Sequence, residues 1–383
     1  MRNLIKDQSV RTKVAKVVFM YGLFILSVSL LQAQSKSENV LEPVASFGKH
    51  MAIGLSVNSK NSIFVSFPGY DGAGDNALLE VENGKRKPYP DKVWNTKGLQ
   101  GNKKGHFVRI QDLYVDNQDN LWVLDSKPAP GGDIFKSASS HDKTGYFALI
   151  KINTKTKQVE RVYDFQGLDK AHSALNDVRV DTKKQMAYLS DPGQAAIVVL
   201  DLRSGNLRTV LTKSPFTVAD DIVLKYDGKD MVDQNGHPFS SDVNGIALTH
   251  DGKYFYFKPI NKNALFRIET RYLTDSTLSE SALAAKVENM GDVGVTHGLI
   301  ADDNGNIYLT NSETYSIRYL RPDGQIRVLV KDKNLLWPDS MGIGGDGYLY
   351  ISCSQLQRQP AWNKGIDKTE YPYTAFRVKL PLP

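Results

Sequence analysis

The chain has 383 residues, of which 23% are charged and 41% hydrophobic, and its formal net charge is +6 at pH 7. Lysines and arginines alternate with acidic residues and form no basic block, which argues against a nucleic-acid-binding protein. Cys353 is the only cysteine, which excludes an internal disulfide, so the fold must be stabilised by burial of a core.

The first 33 residues have the pattern of a secretory signal peptide. A basic segment precedes a mostly apolar run of 15 residues from Val17 to Leu31, and Ala33 supplies a small residue at a cleavage position. The run is shorter than the roughly 20 residues that span a bilayer. Cleavage would remove five basic groups and one acid, which lowers the net charge to about +2. We therefore expect a secreted or periplasmic protein, without membrane contact after cleavage, whose single domain covers 34–383.

Six copies of one hairpin pattern follow. Each copy has a period-2 apolar run, a polar turn and a second run rich in β-branched and aromatic residues, as in IADDNGNIYL at 300–309. Asn and Gly in the turns tolerate the left-handed conformations of a tight hairpin. The copies begin at Ile53, Gln111, Asn176, Asn244, His297 and Asp339. Their spacings of 42 to 68 residues are typical of propeller blades.

A second strand pair follows the first hairpin in most copies, as at 196–212, 264–273 and 316–330. Four strands per unit and six units predict an all-β fold, a six-bladed β-propeller. Residues 41–48 and 375–380 are predicted to be short strands, and their pairing would close the ring and hide its edges.

Long connections interrupt the repeats. Loops on a rigid scaffold commonly carry function, so these segments are candidates for a specialised rim. They cover residues 68–107, 126–145, 213–243 and 353–374. A short helical pattern at 274–290 is predicted to decorate the surface.

Aspartates recur at two positions of the repeat. Asp116, Asp181 and Asp302 lie five residues into their copies and are predicted to organise the turns. Asp125 and Asp191 follow the second strands and are predicted to hold loops.

The first residues of the six copies are expected to surround one mouth of the central channel, because the innermost strand of each blade lines that channel. All except Ile53 are polar. Amide and carboxylate oxygens suit Ca²⁺ or Mg²⁺, and an imidazole suits a transition metal. His297 or Asp339 can also serve as general base or acid for a small substrate. A ring that only binds neighbouring backbone amides is the structural alternative.

Six segments, taken in this order, resemble the yellow/major royal jelly protein family in its bacterial secreted form. They are PYPDKVWN (88–95), IQDLYVDNQDNLWVLD (110–125), LNDVRVDTKKQMAYLSD (175–191), VNGIALTHDGKYFYFKPINKNALFRIETRYL (243–273), THGLIADDNGNIYLTNS (296–312) and LWPDSMGIGGDGYLYIS (336–352). The resemblance implies a six-bladed propeller with a small-molecule pocket at the channel mouth. Insect members are associated with dopachrome conversion, and some bind small amines.

The chain also resembles the wider gluconolactonase/senescence marker protein superfamily. That resemblance implies a divalent cation such as Ca²⁺, held by a Glu of the first blade, an Asn that starts an NG strand and a later Asp. Asn244 matches the NG position, and Asp339 resembles the Asp motif. By blade order His297 takes the place of that Asp. The Glu position falls on Ala52 or Ile53, which cannot ligate a metal.

These observations predict a secreted propeller that binds a small molecule, with dopachrome tautomerase-like activity as the family-based hypothesis. His297 and Asp339 are the predicted catalytic residues, and Gln111, Asn176 and Asn244 are the predicted substrate-binding residues. Two alternatives stay open. One is a divalent-metal-dependent lactone hydrolase that uses Asn176, Asn244 and Asp339, with Asn244 and Asp339 as metal ligands, and the other is a non-catalytic extracellular binding protein.

Overall fold

The computed structural model describes residues 39–68, 76–96, 105–129 and 144–381. Six four-stranded antiparallel sheets form the blades of a propeller, and their innermost strands contact one another in a ring. This arrangement confirms the predicted six-bladed β-propeller. The predicted signal peptide lies outside the described residues. No helix within the described ranges is long and apolar enough to cross a membrane.

The first half of the chain builds three blades, each from its innermost to its outermost strand. A separate strand, β1 (Glu42–Ser46), precedes them. Blade 1 contains β2 (Leu55–Val57), β3 (Ile63–Ser66), β4 (Leu78–Glu82) and β5 (Lys85–Pro88). Blade 2 contains β6 (Ile110–Val115), β7 (Asn120–Lys127), β8 (Tyr146–Asn153) and β9 (Gln158–Tyr163). Blade 3 contains β10 (Val178–Asp181), β11 (Met186–Asp191), β12 (Ala196–Asp201) and β13 (Leu207–Val210).

The second half builds the other three blades after a small hairpin of β14 (Lys225–Tyr226) and β15 (Lys229–Asp230). Blade 4 contains β16 (Val243–Leu248), β17 (Tyr254–Pro259), β18 (Ala264–Glu269) and β19 (Glu288–Asp292). Blade 5 contains β20 (Leu299–Ala301), β21 (Ile307–Asn311), β22 (Ser316–Leu320) and β23 (Ile326–Lys331). Blade 6 contains β24 (Pro338–Ile343), β25 (Tyr348–Cys353), β26 (Thr374–Lys379) and, outermost, β1.

The turn aspartates organise the inner hairpins as predicted. Asp116 accepts the backbone N–H groups two and four residues ahead and the indole N–H of Trp122 at 2.8 Å. Asp302 repeats this pattern, with the hydroxyl of Tyr308 donating at 3.0 Å in place of the indole. Asp181 accepts the N–H groups two and three residues ahead. One side chain therefore fixes both the turn and the start of the returning strand.

The two ends of the propeller domain close the ring, as predicted. Strand β1 pairs antiparallel with β26, so the last blade takes its outer strand from the beginning of the domain. The pairing continues past the strands, since Phe47 donates its N–H to the carbonyl of Tyr373 at 2.8 Å and Tyr373 donates to Gly48 at 2.9 Å. Phe47 is buried and makes an edge contact with Phe67 of blade 1 at 5.3 Å. The closure therefore joins blade 6 to blade 1.

Blade 4 differs from its prediction. The expected strand pair at 264–273 is a single strand, because the chain turns into helix α1 (Thr270–Thr274) directly after β18. A second short helix, α2 (Glu280–Ala284), begins at the capping hydroxyl of Ser279, and the chain then returns as β19. The predicted helical segment 274–290 is therefore helical only in part. Leu273 and Leu283 are fully buried, so the segment packs on the blade as part of the core.

Two insertions meet in one apolar cluster, and together we call them the cap: residues 213–243, which hold the small hairpin, and 353–374, which hold two 3-10 turns (Leu356–Arg358 and Pro360–Trp362). Phe239 from the first insertion packs edge-on against Trp337 at 5.3 Å and Trp362 at 5.5 Å. Leu356 from the second belongs to the same cluster. The cap therefore has its own small core.

Replacing Phe47 with Ala should lower the free energy of unfolding by about 3–5 kcal/mol, the usual cost of removing a buried phenylalanine. The loss acts where blade 6 joins blade 1. Chemical denaturation measures it, and the exposed Val40→Ala should stay within about 0.5 kcal/mol of wild type. Equal midpoints for Phe47→Ala and wild type would show that the closure does not depend on this contact.

Candidate functional site

All six predicted mouth residues line a single cavity at one end of the innermost strands. They are Ile53, Gln111, Asn176, Asn244, His297 and Asp339. Five further residues complete the lining: Asp177, Phe239, Ile260, Trp337 and Leu356. The lining combines polar side chains at the starts of the inner strands with apolar side chains, some of which belong to the cap. Its volume of about 10 Å³ is room for about one water molecule.

Close backbone contacts between blades explain the glycines that follow two of these residues. A Cβ atom on Gly298 would lie 1.8 Å from the carbonyl oxygen of Asp339, and one on Gly245 would lie 2.1 Å from that of His297. Gly298 also donates its N–H to the Thr310 hydroxyl of the second strand at 2.9 Å. These contacts fix the backbone beside each mouth residue.

The predicted substrate-binding residues form two groups. The Gln111 amide donates to Asn176 Oδ1 at 3.1 Å, and the Asn176 amide donates to Asp177 Oδ1 at 2.8 Å. Asn244 instead donates to the hydroxyl of Ser241 at the longer distance of 3.4 Å. The chain of amides from Gln111 to Asp177 is a fixed polar wall, whereas Asn244 is held weakly and is free to bond to a ligand.

His297 is buried, and its ring is held on two sides. Its Nε2 lies 2.5 Å from the Ser312 hydroxyl, and its ring stacks on Trp337 with centroids 4.0 Å apart. Its Nδ1 is buried without a hydrogen-bond partner among the described residues. Burial, with a smaller effect from the charge of Lys258, lowers the pKa of His297 to about 3. The imidazole is therefore neutral at physiological pH.

Lys258 lies on the second strand of blade 4, where it pairs with Gly245 of the inner strand. Asp125 accepts two backbone N–H groups of the preceding loop, as predicted, and Asp191 plays the same part in blade 3. Lys258 is fully buried and donates to the carbonyls of Pro259 at 2.9 Å and Ile260 at 3.5 Å. Burial lowers the pKa of Lys258 to about 7. The sequence signal was a lysine inside the otherwise apolar and aromatic strand Tyr254–Pro259.

Of the two carboxyl groups that line the cavity, Asp177 already accepts a hydrogen bond from Asn176, which leaves Asp339 as the candidate for proton transfer. It lines the cavity and accepts a hydrogen bond from Ser354 at 3.1 Å. Burial raises the pKa of Asp339 to about 7, and the neighbouring Asp112 adds to the rise. A group with a pKa near the working pH can both take and return a proton, as general acid–base catalysis requires.

A buried charge network lies beside this cavity, and sequence reasoning missed it. Arg179 bonds to Asp112 at 3.1 Å and crosses the channel to the carbonyl of Leu299 at 2.9 Å. Burial raises the pKa of Asp112, which Arg179 opposes, and it raises the pKa of Asp177 well above the usual value. Asp112 and Asp177 directly follow the mouth residues Gln111 and Asn176, which was the available signal.

A larger cavity of about 730 Å³ lies at the other end of the inner strands. Arg179 lines this cavity but not the mouth cavity, and Tyr114, Leu248 and Ile300 form part of its wall. The guanidinium group therefore lies between the two ends of the channel.

The mouth residues do not fit the cation site that the superfamily resemblance implies. The expected Glu position falls on Ala52 or Ile53, and Ile53 lines the cavity with an apolar side chain. No group of three or more His, Cys, Asp or Glu side chains placed to hold a metal ion occurs in the described part of the chain. Asn244 and Asp339, the predicted metal ligands, share the cavity but lack the first-blade carboxylate.

Comparison with known proteins gives a family and a set of similar folds. The family model for "Major royal jelly protein" matches residues 108–382. A search of curated proteins finds no match.

Three solved structures illustrate the shared fold. Virginiamycin B lyase from Staphylococcus aureus has 12% identity and a TM-score of 0.50, covering 90% of this chain and 100% of its own. A luciferin-regenerating enzyme has 13% identity and a TM-score of 0.53, and the match covers 89% of this chain and 95% of the enzyme. Regucalcin, a calcium-binding protein from Agrobacterium tumefaciens, has 12% identity and a TM-score of 0.52, covering 89% and 96%. At such identities the likeness shows the fold alone.

Replacing Asp339 with Asn should make stability less sensitive to rising pH. The folded-state pKa is raised from 3.8 to about 7. The folded state therefore keeps a proton that the unfolded state loses, and stability falls as pH rises from about 4 to 7. At about 1.36 kcal/mol per pKa unit, the penalty approaches about 4 kcal/mol above pH 7. Asp339→Asn removes this penalty.

Denaturation midpoints at about pH 5 and pH 8 measure the effect. The stability of Asp339→Asn relative to wild type should be higher at pH 8 than at pH 5. For Asp323→Asn, at an exposed turn, the difference in stability from wild type should be the same at both pH values. An equal difference at both pH values for Asp339→Asn would contradict the raised pKa.

Proposed function

The chain belongs to the major royal jelly protein family, and on this premise we propose that it binds a small planar molecule at the channel mouth and isomerises it by proton transfer, as a dopachrome tautomerase does. The observation that carries the proposal is the mouth cavity itself. It combines a neutral imidazole, a carboxyl group with a pKa of about 7 and an aromatic wall. We also propose that residues 1–33 act as a signal peptide that directs export of the protein.

Asp339 is the group that moves the proton. Tautomerisation transfers a proton from a carbon atom to another atom of the same molecule, so it needs a base beside that carbon and no redox partner. The pKa of His297, lowered to about 3, makes the imidazole a weak base at neutral pH. The carboxyl group of Asp339 therefore takes the proton, and His297 supplies a polar contact to the developing charge.

The remaining residues bind and enclose the substrate. The side chains of Gln111, Asn176 and Asn244 provide amide groups for polar substituents, and Trp337 offers an aromatic face. Since the cavity has room for about one water, a ring enters only when cap side chains such as Phe239 and Leu356 move. The cap then excludes water from the reacting group, which strengthens every electrostatic contact inside.

Lactone hydrolysis assisted by a divalent cation is the alternative from the wider superfamily. It would need the carboxylate that Ile53 does not supply. Binding without turnover is the other alternative, and it would use the same cavity and cap. Both are outcomes of the experiment below.

The purified protein should convert dopachrome, and Asp339→Asn should lower kcat by about 10²–10⁴-fold, the usual contribution of a general base. Asp323→Asn is the matched control and should keep wild-type turnover. Turnover is followed by the loss of dopachrome absorbance, with and without EDTA.

Three results would overturn parts of the proposal. Full turnover by Asp339→Asn would remove its catalytic role. A ligand-induced rise in melting temperature without turnover would identify a binding protein. Lactone hydrolysis that EDTA abolishes would identify the metal-dependent hydrolase.

A further inference from the structure

A chain of two hydroxyl groups connects the cap to the histidine of the mouth cavity. Tyr226, on β14 of the cap, places its hydroxyl oxygen 2.7 Å from Ser312 Oγ. Ser312 Oγ in turn lies 2.5 Å from Nε2 of His297. The exposed fractions are 8%, 0% and 1% for Tyr226, Ser312 and His297, so water does not compete for these bonds.

The available hydroxyl protons determine which group donates in each of these two hydrogen bonds. The Tyr226 hydroxyl has no other hydrogen-bond partner among the described residues, so it is satisfied only by donating to Ser312. Ser312 carries one hydroxyl proton, and with Tyr226 donating to its oxygen that proton is left for Nε2 of His297. Nε2 is therefore the acceptor, and the neutral ring carries its own proton on Nδ1.

That Nδ1–H group is the unsatisfied end of the chain. It is buried and has no partner among the described residues. Stacking on Trp337 at 4.0 Å and the bond to Ser312 hold the ring against rotation. His297 lines the mouth cavity, so a ligand there is the group that can satisfy the donor.

We propose that Tyr226 and Ser312 fix His297 as an N–H donor toward the mouth cavity, and that the site therefore takes planar molecules that present a carbonyl oxygen at this point. A protonated amine at the same point would face a donor and gain no bond. Tyr226 and Ser312 are positioning residues, since they act through His297.

The substrate class rests on the proposed function, whereas the tautomer of His297 does not. In the proposed reaction the C–H bond beside the carbonyl breaks and Asp339 takes the proton. The electron pair moves toward the carbonyl oxygen, where the Nδ1–H group stabilises the charge. Asp339 then returns the proton to another atom of the same molecule, so no further reactant is needed.

Nitrogen NMR of the protein labelled with ¹⁵N-histidine tests the tautomer directly. The His297 signals, assigned by their loss in His297→Gln, should show a protonated Nδ1 and an unprotonated Nε2. Tyr226→Phe and Ser312→Ala should shift this preference toward a mixture of tautomers. Ser312→Thr keeps the hydroxyl group and should therefore keep the wild-type tautomer. A protonated Nε2 in the wild-type protein would overturn the inference.

Tyr315→Phe is the matched control. Tyr315 also bonds the cap to blade 5, through Asp227 at 2.8 Å, but it is not bonded to His297. It should leave the His297 signals unchanged. If Tyr315→Phe alters them as Tyr226→Phe does, the effect is a general loosening of the cap and the hydroxyl chain is not its cause.

A binding experiment tests the ligand class with isatin, a planar dicarbonyl, and indoline, which lacks the carbonyl groups. Isatin should bind more tightly than indoline, and Tyr226→Phe should weaken isatin about tenfold while leaving indoline unchanged. Equal affinities for the two probes in the wild-type protein would overturn the ligand class. A protonated Nδ1 with isatin bound but no dopachrome turnover would refute the proposed reaction and leave this inference standing.

Discussion

The narrow ring of inner strands is the constraint on which the rest of the structure depends. Neighbouring blades approach so closely that Gly245 and Gly298 have no space for a Cβ atom. Where the corresponding residue does carry a side chain, as at Asp112 and Asp177, that side chain lies in the channel and bonds to the next blade. A polar network in the channel is thus a direct consequence of closing six twisted sheets around a small circle. Arg179 offsets part of the negative charge that this closure buries.

Burial in this ring acts on His297 and Asp339 in opposite directions. Taking a charged group out of water favours its neutral form, so the pKa of the imidazole falls and that of the carboxyl group rises. One physical cause therefore yields a neutral imidazole and a carboxyl group that titrates near neutral pH. Lys258, a buried cation, adds to the first effect. His297 and Asp339 are suited to proton transfer because burial keeps the imidazole neutral and lets the carboxyl group titrate near neutral pH.

The sequence predicted the parts of this structure that repeat. The period-2 runs, the turn aspartates such as Asp116 and the regular offsets were sufficient to place all six mouth residues around one cavity. It did not predict contacts between distant segments. Arg179 reaches Leu299, 120 residues away, and Tyr226 reaches Ser312 across 86 residues. Such contacts follow from the closed ring and not from any local pattern. The outer strand of blade 4 was misplaced for a similar reason, since two helices intervene before it returns.

The bonds of His297 also bear on the choice between metal and proton chemistry. A histidine binds a metal through the lone pair of an unprotonated ring nitrogen. If Ser312 donates to Nε2 and the proton lies on Nδ1, neither nitrogen has a lone pair to offer in this arrangement. Ile53 likewise brings no ligand atom to the position at which the gluconolactonase-type resemblance implies a carboxylate. Two of the positions at which the resemblance implies cation ligands thus carry side chains that offer no ligand in this arrangement. A cation beside Asp339 would oppose the rise in its pKa that burial causes, so the residues that weaken a metal site favour the proton transfer that we propose for Asp339.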